Sequence, residues 1–374
     1  MTDGWFKPDR FFDGQDIVDD MAVRVADGMI VETSRASVPA IPLSGLLTPG
    51  FVDLQVNGGG GVLLNNTPTV DGMAQIAAAH RRFGTAAILP TVITDQPDLL
   101  VQAAAAAIAA KDAPDILGLH IEGPHISVAK RGTHRAECIR PLDQDTLTIV
   151  SDLRKAGVAV MITLAPEAAT PAQIALLAEM GAIVSLGHTD ATAEEVEAAI
   201  KAGARCGTHL FNAMSPMTSR APGAVGAILN AGIAFGMICD GVHVDDRMLR
   251  LALRACAAGS APFLVSDAMA TVGGETQFTL YGRTICLQEG RLVNAEGNLA
   301  GAHITQAAGM RRLVHHVGIP LADALRMVVT TPATLIGQPR LARVLGRLTD
   351  DLFLLDGDDT VVGTLTQGIA QAES

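Results

Sequence analysis

Basic charge is scarce in this sequence, thiols are few, and no apolar stretch is long. Among 374 residues, 27 Lys and Arg stand against 39 Asp and Glu, for a formal net charge of −12. That deficit argues against nucleic acid or an anionic membrane as the main partner. A phosphorylated small molecule stays compatible, because a local basic pocket can exist on an acidic protein. The cysteines, Cys138, Cys206, Cys239, Cys256 and Cys286, are odd in number and lack Cys-x-x-Cys spacing. They read as reduced thiols of a cytosolic protein, not as a disulfide framework. The start, MTDGWFKPDRFFDGQD, has no apolar core and so is no secretory signal. The alanine-rich run Ala103–Ala110, bounded by Gln102 and Lys111, is too short to span a bilayer. No low-complexity linker and no solenoid repeat is visible.

What is present is a globular chain, 49% hydrophobic and 18% charged, long enough for a large core with a smaller companion. Its centre is Gly118-Leu-His-Ile-Glu-Gly-Pro-His125. There an apolar run climbs like a buried strand, ends on Glu122, and is broken at once by Gly123-Pro124. An acid at the mouth of a hydrophobic strand is costly to bury unless a charge meets it. Three later runs repeat the pattern: 183–188 ends on His188, Cys206-Gly-Thr leads to His209, and Phe263-Leu-Val-Ser leads to Asp267.

Apolar runs lie at 50–57, 86–91, 116–122, 158–164, 183–188, 206–210, 234–240 and 263–267, with helix-like segments between them. Thr170-Pro-Ala-Gln173 and Thr192-Ala-Glu-Glu195 fit helix-starting capping boxes. This alternation predicts a (β/α)8 barrel over 48–335. A doubly wound sheet is the alternative, but it would not gather polar residues at so many strand ends. Residues 1–47 differ in texture, with short alternating pieces at 17–25 and 29–31. The texture returns after 335 with short strands at 345–348, 351–355 and 360–365. The two ends, 1–47 plus 336–374, are expected to form one small β domain.

Active sites of barrels lie at the C-terminal ends of the strands, so Glu122, His188 and His209 would converge there. One carboxylate and two imidazoles with an open position suit Zn²⁺, with Fe²⁺ or Co²⁺ as alternatives. Such a metal makes hydroxide available near neutral pH, and Asp267 beside it would move the protons. Each residue also has a plainer reading. His188 could be a hydrogen-bonded core histidine, Glu122 a buried partner of Lys130 or Arg131, and Asp267 a helix cap. Their coincidence at four strand ends favours the site. His80, His315 and His316 fall in helical patterns and are read as structural, as are His125 and His303. The basic stretch Lys130-Arg-Gly-Thr-His134, Asn212, Arg220 and His243 point to an anionic substrate. A solvated surface charge is the plainer reading of Arg220.

These residues resemble the N-acetylglucosamine-6-phosphate deacetylases of the amidohydrolase superfamily. The resemblance runs through PGFVDLQVNGGGG, GLHIEGPHI, KRGTH, SLGHTDAT, THLFNAM, DGVHVD, SDAM and LAGAHIT. It implies a (β/α)8 barrel beside a β-sandwich built from both termini, and a homodimer; the cytosolic reading of the thiols makes the expected protein cytoplasmic. It implies metal ligation by Glu122, His188 and His209, with Asp267 as catalytic acid and base. Thr133, His134, Asn212 and Ala213 would contact substrate, and His134 would also polarise the acetyl carbonyl. Arg220, His243 and the turn Ala300-Gly301-Ala302 would complete the sugar-phosphate site. The superfamily's first-strand His-x-His reads Gln55-Val-Asn57 here, so one divalent metal per chain is expected.

The resulting expectation is hydrolysis of N-acetyl-D-glucosamine 6-phosphate to glucosamine 6-phosphate and acetate, within amino-sugar catabolism and cell-wall sugar recycling. A cyclic-amide hydrolase or deaminase would share the metal set without needing Arg220 and His243. A non-catalytic sugar-phosphate sensor would have no use for Asp267.

Overall fold

The computed structural model describes residues 3–35, 37–293 and 299–373. Eight parallel strands form the central sheet. They are β1 (Phe51–Val56), β2 (Thr85–Ile93), β3 (Gly118–Glu122), β4 (Ala159–Leu164), β5 (Ile183–Leu186), β6 (Cys206–Gly207), β7 (Ala234–Met237) and β8 (Ala261–Leu264). Each pairs with the next in chain order. Helices α1 (Val70–Arg81), α2 (Pro97–Ala109), α3 (Gln144–Lys155), α4 (Pro171–Glu179), α5 (Ala193–Lys201), α6 (Gly223–Asn230), α7 (Asp246–Ala255) and α8 (Gln306–Arg312) alternate with the strands. This is the expected barrel. The strands read as continuous apolar runs because both their faces are covered. Every residue of β1 and β2 is buried.

The barrel nearly closes between β8 and β1. Val56 bridges Ala268, and the Asp267 amide donates to the Gln55 carbonyl at 3.0 Å. Lower down, a side chain takes the place of main-chain pairing. The Ser266 amide donates to both carboxylate oxygens of Asp53 at 3.2 Å. Burial pushes the Asp53 carboxyl up to about 7 despite those bonds.

The helix starts follow local chemistry. Both expected capping boxes form, at Thr170 with Gln173 and at Thr192 with Glu195. A third, Thr364 with Gln367, opens a final helix, Leu365–Ala372. The strand expected at 360–365 is therefore cut to Val361–Thr364. The strand expected at 345–348 does not form; only a single bridge joins Leu348 to Met29.

Strands from both chain ends share one seven-stranded sheet. Its order is Val361–Thr364, Leu352–Leu355, Ile41–Pro49, Gly4–Phe12, Ala22–Ala26 and Met29–Ser34, with Ile17–Val18 beside Gly4–Phe12. A separate core, including Phe6, Val23, Ile30, Leu47, Leu352, Leu365 and Ile369, lies against it. Ile41–Pro49 runs into β1 through Gly50, where a Cβ would lie 2.3 Å from Ala86 Cβ. A three-stranded antiparallel sheet, Gln277–Leu280, Arg283–Gln288 and Arg291–Val293, is inserted between β8 and α8. The sequence pattern did not disclose it.

Candidate active site

Glu122 is the last residue of β3, while His188, His209 and Asp267 sit just past the ends of β5, β6 and β8. Those three have left-handed backbones, with φ of 49°, 27° and 49°. Non-glycine residues adopt that region at a cost and only when the surroundings impose it. Here the kinks coincide with the point where the chain turns from strand to loop, and the side chains converge.

His209 Nε2 lies 3.1 Å from Glu122 Oε1, and His188 Nε2 lies 3.4 Å from the same oxygen. The two imidazole Nε2 atoms are 3.1 Å apart. His188 Nδ1 faces the Lys130 carbonyl at 2.8 Å. A carbonyl only accepts, so Nδ1 carries a proton and Nε2 is the nitrogen left facing the cluster. A carboxylate oxygen and imidazole nitrogens crowded this closely, all buried, suit a cation between them. Glu122, His134 and His188 also offer donor atoms within 4.8 Å of one another. The residues present therefore fit a divalent metal. Burial opposes ionisation of Glu122, yet His188 and His209 hold its carboxyl well below the ordinary value. For His209, burial is outweighed by Glu122, which raises its pKa.

Asp267 stands beside this cluster. Asn57 Nδ2 donates to its Oδ1 at 2.6 Å, and Gln55 Nε2 reaches the same oxygen at 3.2 Å and Glu122 Oε1 at 2.8 Å. Thus Gln55 and Asn57 hold the two carboxylates with amide donors. Burial, then the negative charge of Glu122, raises the Asp267 carboxyl to about 6. No helix starts at Asp267, so it is not a cap. Lys130 pairs with Asp190 at 3.4 Å, not with Glu122.

Glu122, His188, His209, Asp267 and Asn57 line a cavity of about 210 Å³ together with Thr133, His134, Asn212, Ala213, His243 and Gly301. His243 Nδ1 is held by Asp240 Oδ2 at 2.6 Å. Ala300 and Ala302 are buried beside Gly301, and the Ala302 amide donates to the Asp267 carbonyl at 3.1 Å. Arg220 is exposed and is not part of the cavity wall. His125 has both ring nitrogens occupied, by the Arg140 carbonyl and the Thr146 hydroxyl. His303 bonds Thr271 at 2.8 Å and does not line the cavity.

Two features escaped the sequence reading. His120 lies inside the barrel on a ladder of hydroxyls: Nε2 meets Thr163 Oγ1 at 2.7 Å, Thr163 meets Thr208 at 2.7 Å, and Thr208 meets Ser185 at 2.6 Å. Burial pushes the His120 imidazole down to about 4. Thr94, the residue after β2, holds His134 Nδ1 at 2.7 Å. The rule that found the other site residues would have reached Thr94 had the run at 86–91 been followed three residues further.

Residues 46–344 match the model of the amidohydrolase family. An N-acetylgalactosamine-6-phosphate deacetylase from Shewanella sp. (strain ANA-3) is 39% identical over 366 residues, covering 94% of this chain and 92% of that one. The N-acetylglucosamine-6-phosphate deacetylase structure from Pasteurella multocida superposes with a TM-score of 0.90 at 35% identity, over 97% and 98% of the two chains. That of a mutant Mycobacterium smegmatis enzyme, in complex with N-acetyl-D-glucosamine-6-phosphate, gives 0.87 at 30% identity over 96% and 97%. With its barrel, its converging Glu and His side chains and this match over most of its length, the chain belongs to the amidohydrolase family.

Proposed function

We propose that this chain deacetylates N-acetyl-D-glucosamine 6-phosphate, giving D-glucosamine 6-phosphate and acetate. The observation that carries the reading is the convergence of Glu122, His188, His209 and Asp267 on one cavity wall. The substrate named for the Mycobacterium smegmatis complex supports it. A divalent metal held by Glu122, His188 and His209 supplies Lewis-acid polarisation and lowers the pKa of water. The donor set suits Zn²⁺, and one ion per chain is expected because Gln55 and Asn57 present amide donors there.

The protein's own groups do the rest. Asp267, kept at the cavity by Asn57 and Gln55, accepts the proton of the attacking water. His134 donates to the acetyl oxygen as it gains negative charge. Asp267 then returns the proton to the amine nitrogen as the C–N bond breaks, and acetate leaves. Thr133, Asn212, Ala213 and the Ala300–Ala302 turn contact the sugar, while His243 and Arg220 serve the phosphate. Because Arg220 lies outside the cavity wall, its part requires loop closure or a neighbouring subunit. We assign the enzyme to the cytoplasm as a homodimer, in amino-sugar catabolism and cell-wall sugar recycling. The shared terminal sheet supports a small domain of residues 1–47 plus 336–374 beside a barrel of 48–335.

The test is acetate release from the 6-phosphate beside the unphosphorylated sugar, with metal content measured on the same sample. Turnover of the phosphate ester alone, with one metal per chain, is expected. Equal turnover of both sugars would remove the phosphate role of His243 and Arg220. The Shewanella relative's name favours a second reading, the C4 epimer N-acetyl-D-galactosamine 6-phosphate. A higher kcat/KM for that epimer would establish it.

A further inference from the structure

Two imidazoles lie side by side at the site, with His134 and His188 ring centroids 4.4 Å apart. Their Nδ1 atoms face different partners. His188 meets a carbonyl, which can only accept. His134 meets the Thr94 hydroxyl at 2.7 Å, which can accept or donate. The Thr94 hydroxyl has no other hydrogen-bond partner among the described residues, and Thr94 is buried. Its main chain is fixed as well, since the Tyr281 hydroxyl of the inserted sheet donates to the Thr94 carbonyl. Gly123 packs against the hydroxyl so closely that a Cβ there would lie 2.2 Å from Thr94 Oγ1.

If His134 Nδ1–H donated to this hydroxyl, the hydroxyl proton would be buried with no acceptor, which is costly. If the hydroxyl donates to Nδ1, both groups are satisfied and the ring proton sits on Nε2. A protonated Nε2 is a hydrogen-bond donor with no lone pair for a cation. The carbonyl behind His188 and the hydroxyl behind His134 thus set opposite tautomers on neighbouring rings.

We propose that Thr94 is a positioning residue that fixes His134 as the Nε2–H tautomer. His134 then donates to the substrate's acetyl oxygen and stays outside the metal's ligand set, although its donor atom lies within reach of Glu122 and His188. The acetyl contact rests on the deacetylase reading above; the tautomer does not.

The test is a long-range proton–nitrogen NMR spectrum of the metal-loaded enzyme labelled with ¹⁵N-histidine, the His134 signals being those lost in His134→Gln. Protonated Nε2 and bare Nδ1 are expected in the wild type and in Thr94→Ser. Thr94→Val, which keeps the shape without the hydroxyl, is expected to lose about 10- to 100-fold in kcat. Its KM and metal content should change little, and Thr94→Ser should keep most of kcat. A wild-type His134 protonated on Nδ1 would overturn the proposal, and this holds even if Thr94→Val fails to fold. Wild-type kcat in Thr94→Val, or loss of its metal, would overturn it equally. An Nε2–H His134 in an enzyme that releases acetate from no amino-sugar phosphate would overturn the acetyl contact and uphold the tautomer.

Discussion

Asp267 and His134 are buried in one cavity, and burial moves them in opposite directions. It raises the carboxyl to about 6 and lowers the imidazole to about 3, in each case disfavouring the charged form. A proton acceptor near neutral pH and a neutral donor result from the same cause. Asp267→Asn is expected to bind metal normally while kcat falls by roughly 10²- to 10⁴-fold, the usual worth of a placed acid–base group. With Asp267 as the proposed base its ionised form would be the reactive one, so kcat/KM should fall as pH drops through about 6. A flat profile from pH 7.5 to 5 would remove Asp267 as the base. Glu122, His188, His209 and Asp267 were legible in the sequence because a polar residue closing an apolar run is conspicuous. His120 was not, since it lies within such a run and its hydroxyl partner Thr163, with Thr208 and Ser185 beyond it, comes from elsewhere in the barrel.

The helices and strands were legible wherever burial or capping leaves a local mark. Thr192→Ala breaks a capping box at the start of α5 and should cost about 1 kcal/mol, read as a lower urea midpoint with unchanged activity. Gly50→Ala places a methyl group against Ala86 and within 2.9 Å of the Phe353 ring. Overpacking of this kind costs about 1–3 kcal/mol, so thermal unfolding of that variant should start earlier. The inserted sheet left little mark because its strands are short and half exposed; Arg283–Gln288 buries only Ile285 fully. The final helix was masked by the strand before it. The residues that start it, Thr364 and Gln367, fit the same capping pattern recognised at Thr170 and Thr192.

Across the whole molecule, the sheet made from both chain ends ties the barrel's first strand to the last stretch of sequence. Leu352–Leu355 pairs with Ile41–Pro49, and all four of its residues are buried. A chain ending at residue 350 should therefore lose cooperative unfolding and aggregate, even though every cavity residue named above remains. A soluble, active truncation would show that the barrel stands without the sheet. The same pairing sets an order of events during synthesis. Leu46 and Leu47 leave the ribosome about 300 residues before their neighbours Leu354 and Leu355, which at 5–20 residues per second means roughly 15–60 s. For that interval the nascent chain carries an open apolar strand edge, so newly made copies depend on shielding that the finished protein no longer needs.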